Sequence, residues 1–90
     1  MIEAIHIIVH GRVQGVWFRA GTKERADELD LFGWVKNQPE GTVEIHAEGE
    51  KLQLEDYILW CRKRTPAANV TSLNLNPTSL QNFTAFEIRS

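Results

Sequence analysis

The segment Val9-His10-Gly11-Arg12-Val13-Gln14-Gly15-Val16-Trp17-Phe18-Arg19 lies between a strand-like run and a helix-like run, and it closes two glycines with an arginine. Small residues let a main chain curl until its N–H groups converge on an anion. A helix that starts directly afterwards adds unpaired N–H groups and partial positive charge. The planar guanidinium of Arg19 matches two phosphate oxygens at once. The chemistry implied is capture of a phosphate group.

What the loop lacks narrows that chemistry. Phosphatases that form a phospho-cysteine place the cysteine six residues before the arginine, and Val13 stands there. No Ser, Thr, Cys or Asp lies between Gly11 and Arg19, which argues against covalent catalysis from the loop. No Gly-Lys-Ser/Thr follows the glycines, so a Walker-type nucleotide site is excluded. No acidic cluster near the loop suits magnesium. What remains is an anion held by Arg19 and main-chain amides and attacked by water.

Asn37 is the candidate to place that water, at the end of Gly33-Trp34-Val35-Lys36-Asn37 and just before Gly41-Thr42-Val43. An amide offers an acceptor and donors but no titrating proton, so it orients a water without being a strong base. Thr42 is expected to hold the Asn37 side chain through its hydroxyl. A site without a base suits only a good leaving group. A departing carboxylate, with a conjugate-acid pKa of about 4, needs no protonation. Positioning supplies about 7–11 kcal/mol, and a 10⁶-fold acceleration needs about 8 kcal/mol. The residues therefore point to acyl phosphates rather than ordinary phosphate esters.

The elements that must position these groups follow from periodicity. Ile5, Ile7 and Val9 alternate with Ala4, His6 and His10, as in a half-buried strand. Phe18, Thr22, Ala26 and Leu29 form one helical stripe, with Lys23, Glu24, Arg25, Asp27 and Glu28 toward solvent and Gly33 as the expected left-handed stop. Residues 34–37 and 42–47 read as strands joined at Gln38-Pro39-Glu40-Gly41. Val43, Ile45 and Ala47 share one face of the latter, opposite Thr42, Glu44 and His46. Leu54, Tyr57, Ile58 and Cys61 mark a second helix that ends before Pro66. Residues 70–75 read as extended, Pro77-Thr78-Ser79 as a loop, and Thr84, Phe86 and Ile88 as a closing strand. The order β-α-β-β-α-β, with a short extra strand at the end, predicts an α+β fold: a ferredoxin-like split βαβ sandwich with two helices on one face of a mostly antiparallel sheet.

Ninety residues, 42% of them hydrophobic, suffice for one domain spanning 1–90 and one core. Apolar runs are short, and the first strand begins near Met1, so neither a membrane span nor a targeting peptide is expected and the cytoplasm is favoured. A net charge of −2 argues against broad binding to nucleic acid. Cys61 is the only cysteine, which excludes an intrachain disulfide and a cysteine-based zinc site. A buried, inert thiol is expected. His6, His10 and His46 read as solvated or packed residues rather than metal ligands, and Arg12 and Lys36 as cations able to raise the local potential for anions.

The loop Val9-x-Gly11-x-Val13-Gln14-Gly15-Val16-x-Phe18-Arg19 resembles the first signature of the acylphosphatase family. Gly33-Trp34-Val35-Lys36-Asn37-x-x-x-Gly41-x-Val43, with Gly49 six residues on, resembles its second, and Phe86-Glu87-Ile88-Arg89 resembles its last strand. The resemblance implies a metal-free and cofactor-free hydrolase that takes small acyl phosphates as a monomer. By motif position, Arg19 binds the phosphate and Asn37 orients the water. Amides between Arg12 and Arg19 form the cradle, which assigns Arg12, Val13, Gln14, Gly15, Val16, Trp17 and Phe18 to substrate binding. Gly11 and Thr42 support it, and Gln14 braces the loop through its side-chain amide. Trp17 is bulky at a variable position, and Ser90 stands where many relatives end in an aromatic. Two alternatives remain open from the residues: a non-catalytic phosphate- or carbamoyl-phosphate-binding module of the same fold, and an RNA-binding ferredoxin-like domain. The acidic balance and the lack of an aromatic-bearing central strand weaken the latter.

Overall fold

The computed structural model describes residues 1–15, 17–63 and 68–89. Val16, Pro66 and Ser90, named above, lie outside the described residues. The elements run β1 (Ile2–Arg12), α1 (Phe18–Glu28), β2 (Phe32–Asn37), β3 (Val43–Glu50), α2 (Lys51–Arg62), β4 (Asn69–Thr78) and β5 (Phe86–Arg89). The strands form one sheet in the order β4-β1-β3-β2-β5. Every neighbouring pair is antiparallel except β2 and β5. This is the expected split βαβ sandwich, with the short closing strand placed parallel beside β2.

Strand periodicity divides the sheet into two faces. Ile7, Val9, Val35, Val43, Ile45 and Ala47 are buried on the helix side. Phe18, Thr22 and Ala26 of α1 and Leu54, Tyr57 and Cys61 of α2 meet them from above. Tyr57 Oη donates to the Thr22 carbonyl at 3.2 Å, so the phenol is satisfied where the helices meet. Cys61 is fully buried, and loss of solvation pushes its thiol up to about 12, which makes it the inert thiol expected.

The opposite face departs from a solvated sheet surface. His46 and Glu48 are only 2% and 3% exposed there. The segment 79–85 crosses this face: Phe83 packs edge-on against His46 with centroids 5.3 Å apart, and Trp34 stacks on its other side at 6.0 Å. Glu48 accepts hydrogen bonds from Gln81 N at 2.5 Å and Phe83 N at 3.2 Å, and its Oε2 lies 2.8 Å from His46 Nε2. Burial pushes this carboxyl up, yet those hydrogen bonds outweigh it and hold it below the usual carboxylate value.

Three local expectations are corrected. The left-handed stop of α1 is Asp30, at φ 56°, not Gly33. Asp30 N donates to Asp27 O and Leu31 N to Ala26 O, a Schellman closure with the buried Leu31 just beyond it. Gly33 instead lies inside β2, where a Cβ would come 1.9 Å from the His46 carbonyl oxygen, so glycine is needed for strand approach. Pro77 and Thr78 belong to β4 rather than to a loop. β4 is an edge strand, where a missing N–H costs no ladder bond. The last strand begins at Phe86, which leaves Thr84 in the crossing segment.

Candidate active site

The loop between β1 and α1 leaves the sheet through a register shift at His10/Gly11. Gly11 has φ 127°, and a Cβ there would lie 2.1 Å from Asn69 O, so only glycine lets β4 pass this close. Gly15 and Trp17 follow in left-handed conformations, at φ 71° and 65°. Trp17 is the N-cap of α1, and no side chain caps the helix start. No acidic residue occupies its first turn. The first intrahelical bond runs from Gly21 N to Trp17 O, which leaves the N–H groups of Phe18, Arg19 and Ala20 without helical partners. Helix starts elsewhere usually recruit Ser, Thr, Asp or Asn for this purpose. An uncapped start with positive partial charge favours a bound anion.

A cleft of about 440 Å³ opens at this helix end. Gly15 and Arg19 provide its polar side, while Trp17, Ala20 and Ile88 provide its apolar walls. Val13 and Phe18 form its base and are themselves buried in the core. Phe18 stacks on Trp60 of α2 with centroids 6.0 Å apart, so its side chain anchors the helix and only its main chain is available to a ligand. Thr22 Oγ1 donates to Arg19 O at 2.8 Å and braces the same turn.

Arg19 is held from the far end of the chain. Its Nη1 donates to the Arg89 carbonyl at 3.0 Å. Arg89 lies opposite Lys36 in the β2–β5 ladder, one residue before Asn37. The Arg89 side chain turns to the other sheet face, with its guanidinium 5.2 Å from the Trp34 ring centre and 5.5 Å from that of Phe83. That clamp fixes the carbonyl that fixes Arg19.

Gln14 makes the second tie. Its Nε2 donates to Gln38 O at 2.7 Å and to Thr42 O at 2.8 Å, the two sides of the β2–β3 turn. Gln38 N in turn donates to Thr42 O at 2.8 Å. The side chain thus braces the loop, as expected, and faces the turn. Asn37 shares strand parity with Val35, so its side chain projects on the helix side of the sheet. Its Oδ1 is buried and has no hydrogen-bond partner among the described residues. A buried acceptor without a partner is uncommon and calls for an explanation.

Other expectations are placed differently. The Thr42 hydroxyl donates to Glu40 Oε2 at 3.0 Å rather than to Asn37, so Thr42 contributes through its carbonyl. Arg12 is exposed at the end of β1, opposite Asn69, and does not line the cleft. Lys36 lies on the other sheet face, 5.3 Å from the Trp34 ring centre and 3.7 Å from Glu44 Oε1. His6 Nε2 lies 2.6 Å from Glu44 Oε2, and Gln38 Nε2 donates to the other oxygen of that carboxylate. Among the described residues, no three His, Cys, Asp or Glu side chains are arranged to hold a metal ion. Sequence reading missed Ala20 and Ile88 as cleft walls and Arg89 as the holder of Arg19. A carbonyl is carried by every residue, so Arg89 had no signal; the alternation of Phe86 and Ile88 gave Ile88 one.

The family model for acylphosphatase matches residues 5–88. An acylphosphatase of Methylococcus capsulatus is 42% identical over 88 residues, covering 97% of this chain and 96% of that one. One from Marinobacter nauticus is 48% identical over 88 residues, covering 94% of each. The crystal structure of acylphosphatase from Bacillus subtilis superposes with a TM-score of 0.94 at 38% identity, covering 100% of both chains.

Proposed function

The chain belongs to the acylphosphatase family, and on that footing we propose that Arg19 holds the phosphoryl group while Asn37 aims the attacking water. The enzyme hydrolyses the carboxyl–phosphate bond of acyl phosphates to a carboxylate and inorganic phosphate. In the proposed course, the phosphoryl oxygens sit against the Arg19 guanidinium and the N–H groups at the start of α1. Asn37 Oδ1 accepts a hydrogen bond from the water and turns its lone pair toward phosphorus. The new P–O bond forms as the bond to the acyl oxygen breaks, and the carboxylate leaves with that electron pair. The water protons pass to phosphate and solvent. No general acid is required, because the leaving carboxylate is already a weak base.

Charge stabilisation and positioning are the two sources of rate, as in other phosphoryl transfers. The observation that carries this reading is the buried Asn37 Oδ1, without a partner among the described residues, beside a turn that Gln14 ties to the phosphate loop. The same reading takes the protein as a cytoplasmic monomer that needs no metal. The described residues contain no helix long and apolar enough to cross a membrane.

Hydrolysis of benzoyl phosphate in ¹⁸O-enriched water containing EDTA tests the proposal. Attack at phosphorus puts the label in inorganic phosphate, and turnover persists without divalent metal. Label in benzoate, or loss of turnover in EDTA, overturns the corresponding step.

A further inference from the structure

The cleft is larger than a phosphoryl group, and its remaining surface is apolar. Trp17 is 85% exposed and Ile88 44% exposed, both on its walls. An exposed tryptophan forfeits the burial that large aromatics normally contribute. Trp17 also sits at φ 65°, a conformation that costs a non-glycine residue backbone strain and that gathers at functional sites. The ring has no stacking partner among the described aromatic pairs. Ile88 projects from the helix face of β5, one residue before the carbonyl that holds Arg19. A phosphate gripped by Arg19 therefore has both apolar side chains beside it, on the cleft that the acyl group must occupy.

Charge narrows the acyl group further. Arg19 is the only cation among the described residues that line the cleft, and no carboxylate lines it. Among the described lining residues, a second anionic group on the substrate finds no counter-charge once Arg19 has engaged the phosphoryl oxygens, and a cationic acyl group finds none. Resting on the activity proposed above, we infer that Trp17 and Ile88 form an acyl-binding lip that selects uncharged aromatic or similarly bulky apolar acyl phosphates. The aromatic face of such a group stacks on Trp17, and its edge meets Ile88. A single apolar contact of this kind discriminates about tenfold, or about 1.4 kcal/mol.

The test compares kcat/KM for benzoyl phosphate and acetyl phosphate in wild type, Trp17→Phe and Trp17→Gly. Benzoate is the better leaving group, so the diagnostic is the change in the ratio of the two values, not its absolute size. Glycine suits φ 65°, so Trp17→Gly removes the ring while relieving backbone strain. The ratio of benzoyl to acetyl falls about tenfold in Trp17→Gly, chiefly through KM for benzoyl phosphate. Trp17→Phe keeps the ratio within about threefold, since a flat ring remains. An unchanged ratio in Trp17→Gly overturns the lip, as does equal loss on both substrates, which marks a general disturbance of the loop. If wild type hydrolyses neither compound, the activity itself is refuted and the lip with it.

Discussion

Gln14 joins the phosphate loop to the turn that carries Asn37, and cutting that tie should separate binding from turnover. Its Nε2 makes two hydrogen bonds, 2.7 Å to Gln38 O and 2.8 Å to Thr42 O, in a half-buried setting. Each neutral bond of this kind contributes about 0.5–1.5 kcal/mol. Gln14→Leu keeps the side chain's bulk and removes the donor, so unfolding free energy in urea falls by about 1–3 kcal/mol. Gln14→Glu is the sharper perturbation. At neutral pH a carboxylate only accepts, and here it faces two carbonyl oxygens. Stability should fall further than in the leucine variant. Asn37 is bonded directly to Gln38, so the loss transmits to it as misplacement, and kcat should drop about 10- to 100-fold. Arg19 is held separately, through Arg89, so inhibition by inorganic phosphate should change by less than about threefold. Steady-state kinetics at neutral pH with phosphate as competitive inhibitor reads both quantities. Wild-type kcat in Gln14→Glu refutes the tie, and equal loss of kcat and phosphate affinity refutes its separation from Arg19.

Glu48→Gln removes the charge from a buried carboxylate that three donors surround, and should cost about 1–3 kcal/mol in urea unfolding at neutral pH. The folded carboxyl titrates below its ordinary value. Its contribution is therefore full above the unfolded value of about 4.3 and is lost as pH falls through the lower folded value. The stability gap between wild type and Glu48→Gln should accordingly narrow in acid; a gap that widens on acidification contradicts this assignment. Cys61, with its thiol pushed up to about 12 and no exposure, should resist iodoacetamide at neutral pH in the native protein and react at once in urea. Mass spectrometry of the intact chain reads the outcome, and rapid native alkylation refutes its burial.

Much of the fold was legible because single side chains report local period. Phe18, Thr22 and Ala26 fall on one helical stripe, and Val43, Ile45 and Ala47 on one strand face; both are buried as their spacing predicts. The loop from Gly11 to Arg19 and the segment ending at Asn37 stood out for a different reason, since phosphate chemistry restricts which residues suffice, and their proposed roles rest on that argument. What escaped depends on tertiary partners. Gly33 looks like a helix stop until His46 O is placed against it, and Asp30 serves as the stop because its short side chain tolerates φ 56°. Pro77 breaks a strand pattern in sequence but not at a sheet edge, and edges are set by strand order. The sequence leaves His46 on the polar face of β3 as solvated or packed, and packing holds because residues 79–85 fold across it, with Glu48 accepting from two of their N–H groups. The Thr42 hydroxyl donates to Glu40, and no spacing rule in the sequence decides between Glu40 and Asn37.

The central claim is a division of labour in which Arg19 binds and Asn37 orients. Asn37→Ala with benzoyl phosphate, followed with inorganic phosphate as competitive inhibitor, tests it most directly. Asn37 Oδ1 has no partner among the described residues, so the variant should fold as wild type does and keep phosphate inhibition within about threefold, while kcat falls by about 10²–10³-fold. A kcat near wild type, or loss of phosphate binding alongside turnover, contradicts that division.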